Sequence, residues 1–312
     1  MKFSFGSDPE FVIVDEHDNI CSAIDVLKGS KDEPVLNGKN KFFYDNVLAE
    51  CTITPSKTNK EAVESFRNSL LILSDMAKPY KIKPLASAKY NKKQMLHPMA
   101  QKINCDKEIC AYELKTIEVD EEVFKKSNLR TAGGHIHIGG NIDGIEILSI
   151  VRMLDLFLGI PTLFLDKDPT SKPRKEFYGQ AGRFRTPEHG LEYRSLSNYW
   201  TASPELVSLI FDISKFTYEY VKSKKHEKFW FIDLEKLEDE NVWAEEDFNI
   251  ADYHICTGYD AKLLIKTIGN ADKSAAAIFM KMVESELPDS IFSKIKKLSN
   301  KRKPFDLYKS WF

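Results

Sequence analysis

The chain has 312 residues, 42% of them hydrophobic and 29% charged, enough for one large domain or two small ones around a sizeable core. A formal net charge of −2 excludes the global basic field that advertises nucleic acid or an anionic membrane surface, while leaving room for a local basic pocket. Five cysteines (Cys21, Cys51, Cys105, Cys110 and Cys256) contain no C-x-x-C pair, and the N-terminus lacks a secretory-signal pattern, so reduced thiols in a cytoplasm are expected.

In chain order, "SDPEFVIVD" (7–15) is an extended apolar run closed by the turn signal "EHDN". "GKNKFFYDNVLAECTITP" (38–55) holds two further extended stretches and ends at a proline. "TNKE" (58–61) has the form of a capping box and precedes apolar positions 62, 63, 66, 70, 73 and 76, a helical spacing. "PYKIKPLASA" (79–88) reads as a strand, and 90–128 as strands and loops that cover a site. "GGHIHIGG" (133–140) is a short strand between glycine pairs, followed by a helix from about Asp143 to about Gly159. The apolar stretch 147–165 is interrupted by Arg152, Asp155 and Pro161, so a buried helix is expected rather than a membrane span. "LEYRSLS" (191–197) alternates as a strand, and 203–223 is a helix capped by Ser203. Beyond 222 the character changes to an acidic stretch (233–247), short amphipathic helices and a basic run (294–303). The expected division is a catalytic domain over 1–222 with a mostly helical extension, 223–312, packed on it. Strands mixed with segregated helices give an α+β class.

Side chains two apart on a strand share a face. Asp8 with Glu10, His135 with His137, Arg183 with Arg185, and Glu192 with Arg194 are so spaced, and Asn46 with Glu50 shares a face at i, i+4. Any one pair is better explained as a solvated face. The set is harder to explain that way, because ordinary solvated faces are rich in Lys, Ser and Thr, whereas these residues bind metals and phosphates. Carboxylates with limited imidazole suit Mg²⁺ or Mn²⁺. Arginine grips phosphate with a planar fork, so metals and arginines on one surface imply a phosphate-bearing ligand. Walker-A, kinase and H-E-x-x-H patterns are missing from the sequence.

Four blocks, "GSDPEF", "NVLAECTITP", "GGHIHIGG" and "YGQAGRFRTPEHGLEYRSLSN", resemble in order those of phage-type carboxylate–amine ligases (amidoligases, type 2), relatives of glutamine synthetase and glutamate–cysteine ligase. The resemblance covers roughly residues 1–200. It implies a twisted, mostly antiparallel sheet with the site on its concave face and helices behind, like the catalytic domain of glutamine synthetase. It implies ATP as the phosphoryl donor, two or three Mg²⁺ or Mn²⁺ ions, and an amide formed from a carboxylate and an amine through an acyl phosphate. Carried over by motif, Glu10, Glu50, His135 and Glu192 would hold metal, with Asp8 as helper. His137, Arg183 and Arg185 would hold ATP phosphates, with the reverse roles for His135 and His137 left open. Arg194 would hold the carboxylate or the transferring phosphoryl group, and Asn46 would position substrate. Gly179 and Gly182 fit a loop closing over nucleotide as well as they fit a plain turn. The partners implied are a carboxylate and an amine, borne by a small molecule, a peptide or a cell-wall component, with neither nucleic acid nor membrane and with the oligomeric state open. The location implied is a bacterial or phage-infected host cytoplasm. Two enzyme alternatives stay open: a phosphotransferase of guanido-kinase-like architecture and a metal-dependent hydrolase using the His-x-His strand. So does a binding protein with a decayed site.

Overall fold

The computed structural model describes residues 2–102, 107–118, 120–188, 190–229 and 260–312, and the backbone of the strands Phe231–Ile232 and His254–Ile255. Cys105, Cys256 and the acidic stretch 233–247 lie outside the described residues. The architecture is α+β, built on two antiparallel sheets.

The larger sheet has seven strands, in the spatial order Thr116–Ile117, Glu108–Cys110, Arg183–Arg185, Gly190–Tyr193, Ile136–Gly139, Ser4–Ser7 and Ile53–Ser56. The six-stranded sheet runs Ile20–Cys21, Glu10–Val14, Leu48–Cys51, Asn40–Asp45 and Val35–Asn37, with Lys81–Lys83 also paired to Glu10–Val14. Residues 7–15 therefore form two strands rather than one. Proline has no N–H to give a ladder, and at Asp8–Pro9 the chain leaves one sheet and enters the other. Residues 79–88 divide the same way around Pro84, into Lys81–Lys83 and Ser87–Lys89. Within 90–128 the structure has short helices, Lys92–Met95, Pro98–Gln101 and Glu121–Lys126, as well as strands.

Alternation places the core. Phe5, Ile136, Ile138, Phe184, Leu191 and Tyr193 are buried on the helix side of the larger sheet. Phe5 packs edge-on against Trp200 and Phe211, the latter on the helix Pro204–Lys222. Fully burying such an aromatic side chain is worth roughly 1.5–3 kcal/mol. The helix Asn59–Met76 has the expected capping box, with Thr58 accepting from the Glu61 N–H, and buries Phe66, Leu70 and Leu73.

The helix expected to stop near Gly159 continues to Leu165. A π turn over Asp155–Gly159 precedes Pro161, and the Ile160 N–H reaches back to the Asp155 carbonyl. That widened turn supplies the slack a proline needs inside a helix. Gly144–Leu165 is long and apolar enough to cross a membrane, but 83% of its most apolar window is buried inside the protein. The helices Ala261–Gly269, Lys273–Glu286 and Asp289–Ser299 share this core, and the Trp311 indole donates to the Thr201 carbonyl at 2.9 Å. Cys21, Cys51 and Cys110 are free thiols.

Candidate active site

The face of the larger sheet opposite the core carries the polar pairs. Register places Arg185 beside Glu192, Glu192 beside His137, and His137 beside Gly6. One rank further, the Arg194 N–H donates to the Arg183 carbonyl at 2.9 Å, which keeps Arg194 in line just past its strand. His135 likewise lies one residue before its strand, since the expected strand 133–140 shortens to Ile136–Gly139. Its imidazole is nevertheless on the site: Nδ1 lies 3.3 Å from both Asp8 Oδ1 and Glu192 Oε1.

Among the described residues, two groups of ligand atoms could each hold a metal ion. The first is Asp8, His137 and Glu192; the second is Glu10, Asp45 and Glu50. Asp8 and Glu10, paired on one face in the sequence reading, thus belong to different groups, Asp8 just past the end of Ser4–Ser7 and Glu10 at the start of the next strand. The turn at Pro9 divides them but keeps the groups adjacent. Glu10 and Glu50 are direct cross-strand partners. His137, rather than His135, completes the first three-donor group, although both imidazoles reach Asp8, His137 Nε2 at 3.2 Å. His135 Nε2 has no hydrogen-bond partner among the described residues. A Cβ on Gly133 would come within 2.3 Å of that nitrogen, so glycine is required there. The Gly133 N–H in turn donates to Glu10 Oε2 at 2.5 Å.

Electrostatics separate the carboxylates. Burial works against the Asp8 charge, but the imidazoles of His137 and His135 outweigh it and hold this carboxyl well below its usual range. His137 is raised, because Asp8 overrides its burial. His135 is pushed down to about 3 by burial and by Arg194. Burial, then the Asp45 charge, pushes Glu10 up to about 7; burial, then Asp8, does the same to Glu192. Glu50 is raised well above its ordinary value by burial and by Asp8, Asp45 and Glu10. Buried oxygens that repel one another and carry raised pKa values form the kind of donor set a divalent cation relieves.

Asn46 is the departure from the i, i+4 reading. The two strands of its hairpin pair Asp45 with Leu48, leaving Asn46 in the turn with φ +55°. Its carboxamide donates to the carbonyls of Ala100 (2.9 Å) and Lys102 (3.1 Å) and accepts from Arg130 Nε (3.1 Å). Asn46 therefore ties the hairpin to the neighbouring segment. Gly179 and Gly182 have φ of +76° and +75°, and a Cβ would collide with Arg174 and Tyr112 respectively, so a tight turn requires both.

Three site residues were not anticipated. Asp45 completes the second acid group; the signal was available, since a two-residue turn at Asn46–Val47 puts Asp45 and Glu50 on one face. Glu108 sits 3.2 Å from Arg194 Nε and 3.7 Å from Arg183 Nε, brought in by a three-residue strand without a sequence signature. The Tyr178 hydroxyl meets Arg194 Nη2, while Arg194 Nη1 meets Glu192. Arg185 lies 3.8 Å from Glu192. A cavity of about 400 Å³ opens beside these groups, with Glu10, Asp45, Glu108, Tyr178 and Arg183 in its wall.

Residues 91–236 match a family model described as "Phage phiEco32-like COOH.NH2 ligase-type 2", the family that the four sequence blocks resemble. The match takes in His135, His137, Arg183, Arg185, Glu192 and Arg194; Asp8, Glu10, Asn46 and Glu50 precede it. No curated protein matches the chain. Among solved structures, a bifunctional glutathione synthetase from Pasteurella multocida is similar over 96% of this chain and 51% of that one, at 11% identity and a TM-score of 0.38. The chain thus spans about half the length of that structure.

Proposed function

We propose that the chain, a carboxylate–amine ligase by its family match, joins its substrates at the expense of ATP with divalent cations bound. The observation that supports this most is the meeting of two carboxylate groups with the Arg183, Arg185 and Arg194 guanidiniums around the corner at Pro9. A carboxylate is a poor acyl donor because its leaving group would be oxide. Transfer of the γ-phosphoryl group to a carboxylate oxygen gives an acyl phosphate and ADP. The amine nitrogen then attacks the acyl carbon, the C–O bond to phosphate breaks, and the nitrogen sheds its proton to give the amide.

In this reading the architecture is that of a glutamine-synthetase-like catalytic domain, the site at the corner where the two antiparallel sheets meet and helices behind the larger one. Glu10, Asp45 and Glu50 would hold one Mg²⁺ or Mn²⁺, and Asp8, His137 and Glu192 another, with His135 Nε2, which has no hydrogen-bond partner among the described residues, available as a further donor. The ions would neutralise charge on the transferring phosphoryl group. Arg183 and Arg185 orient ATP phosphates. Arg194, held by Glu192, Glu108 and Tyr178, presents its plane to the carboxylate being activated. The partners are a carboxylate and an amine, and the setting is a cytoplasm.

Calorimetry with ATP and Mg²⁺, followed by incubation with panels of carboxylates and amines, tests the proposal. The expected result is metal-dependent ATP binding, release of ADP and phosphate in equal amounts, and an amide detected by mass. Failure to bind ATP with metal would overturn it. A stable phosphorylated product formed without amine would point to phosphotransfer instead.

A further inference from the structure

The cavity beside Glu10 and Asp45 has a lining that does not suit every substrate of such a reaction. Its volume, about 400 Å³, is within the range of small-molecule sites. Its walls are largely apolar: Leu48, Ile117, Leu129 and Phe124 line it, and Val123 and Phe177, 46% and 49% exposed, stand at its mouth. Six carboxylates border it against three cations. Two of those cations are engaged: Arg130 donates to the carbonyls of Ala100, Ser127 and Leu129 and stacks 3.9 Å over Phe124, and Lys102 lies 3.3 Å from Asp32. Arg183 lies 3.7 Å from Glu108 and donates from Nη2 to Gln180, while its buried Nη1 has no hydrogen-bond partner among the described residues. Some acids are engaged as well, Asp45 with Lys31 and Glu118 with Lys107, each at 2.5 Å.

Polyphosphate would meet mostly acids along this wall, and belongs at its Arg183 end, where the same strand continues to Arg185. A nucleobase needs donors and acceptors for its edge, and two of the wall's larger polar groups, the Asn46 amide and the Arg130 guanidinium, are spent on backbone carbonyls. An ammonium on an apolar stem matches both the charge and the walls.

We infer that this cavity, on the ligase reading above, seats the amine substrate, and that the amine is a primary alkylammonium whose apolar body lies between Leu129 and Phe177 with its nitrogen toward Glu108, the acid of the wall that touches Arg194 and is left without a metal in that reading. The remote apolar contacts supply affinity and orient the nitrogen toward the acyl group, which it attacks as the free amine after the ammonium has given one proton to water. Diamines and lysine-like side chains belong to this class.

The probes are hexylamine, hexanoate and adenosine, titrated by calorimetry into the full chain saturated with Mg²⁺. Hexylamine is expected to bind, with hexanoate and adenosine at least about tenfold weaker, a difference of ~1.4 kcal/mol or more. Val123→Lys and Glu176→Lys alter exposed lip positions and so leave the core intact; each should weaken hexylamine at least about threefold. Leu129→Trp, which fills the cavity, should abolish hexylamine binding while ATP binding with Mg²⁺ persists. Adenosine or hexanoate binding more tightly than hexylamine, or hexylamine indifferent to all three substitutions, overturns the inference. ATP titrated into the same samples separates the two readings: hexylamine bound without ATP affinity sinks the ligase reading and leaves the cavity's preference standing, whereas ATP affinity without hexylamine binding does the reverse.

Discussion

The two acid groups are adjacent but differently balanced. On the six-stranded sheet Glu10, Asp45 and Glu50 face one another with Lys31 and the Gly133 N–H as nearby positive partners. On the seven-stranded sheet Asp8 and Glu192 sit among two imidazoles and the guanidiniums of Arg185 and Arg194. The first group is short of cations, and burial raises Glu10 and Glu50 accordingly. The second supplies many of its own, so Asp8 keeps its charge. The contrast teaches a division of work: the six-stranded sheet offers a place that only an added cation satisfies, and the seven-stranded sheet offers one that can also hold an anion, phosphate or carboxylate, against fixed positive charge.

The largest effect expected from breaking this contrast is at Glu50. Glu50→Gln keeps shape and burial but removes a charge from the cation-poor group. ATP turnover should fall roughly a thousandfold, about 4 kcal/mol of transition-state stabilisation. Turnover within tenfold of wild type, with folding intact by circular dichroism, would show that this group does not hold the reaction's metal. Arg194→Lys comes next. Lysine keeps the charge but cannot span Glu192, Glu108 and Tyr178 together. A loss of about a hundredfold, ~2.7 kcal/mol, is expected in kcat with little change in ATP affinity; an equal rise in KM for ATP would place Arg194 on the nucleotide instead.

Below these comes Arg130→Met, which touches neither group. Arg130 is buried and its donors end on the carbonyls of Phe124, Ser127, Leu129 and Ala100 around the cavity. Methionine fills the space and strands those carbonyls, costing about 2 kcal/mol of stability measured by urea unfolding. Metal affinity of the folded fraction should be unchanged; were it lost along with stability, the cavity wall and the acid groups would be one coupled unit rather than two neighbours.

Much of this site is legible from the period of two. His135, His137, Glu192, Arg183 and Arg185 reach one face because short antiparallel strands with buried partners such as Ile136 and Phe184 leave no alternative register. Where the chain turns, that rule fails for physical reasons. Asp8 and Pro9 form the link between two sheets and Glu10 opens the second, so the spacing of Asp8 and Glu10 is not a shared face. Asn46 occupies a left-handed turn position, which ends the count toward Glu50 and brings Asp45 in instead. Glu108 and Tyr178 were illegible because neither stands in a patterned segment; long-range pairing with Arg183 and packing of the Gly179 turn place them. Of the fold, the α+β class and the capped helices at 59–76 and 204–222 could be read locally, whereas two sheets instead of one depend on strand partners far apart in sequence.

The smallest effect, and the one that sharpens the contrast most, is the pH dependence of metal binding. Glu10 and Glu192 are both raised to about 7. An unfolded glutamate releases its proton near 4.3, so between the two values the metal-free folded protein holds protons that the unfolded chain does not. The stability these groups contribute is therefore fully present below about pH 4.3 and is lost as pH rises through about 7. A divalent ion must displace those protons, so its affinity should climb by up to about tenfold per pH unit per displaced proton, ~1.4 kcal/mol, and level off above 7. In melting curves the metal-free Tm should decline from pH 5.5 to 8 while the gain from added Mg²⁺ grows. Glu10→Gln and Glu192→Gln should each remove part of the slope. Because Asp8 stays ionised throughout, the Glu10→Gln protein should retain weak Mg²⁺ binding at pH 5.5 through the seven-stranded sheet. A gain in Tm that is the same at both pH values would mean that neither raised carboxylate meets the ion.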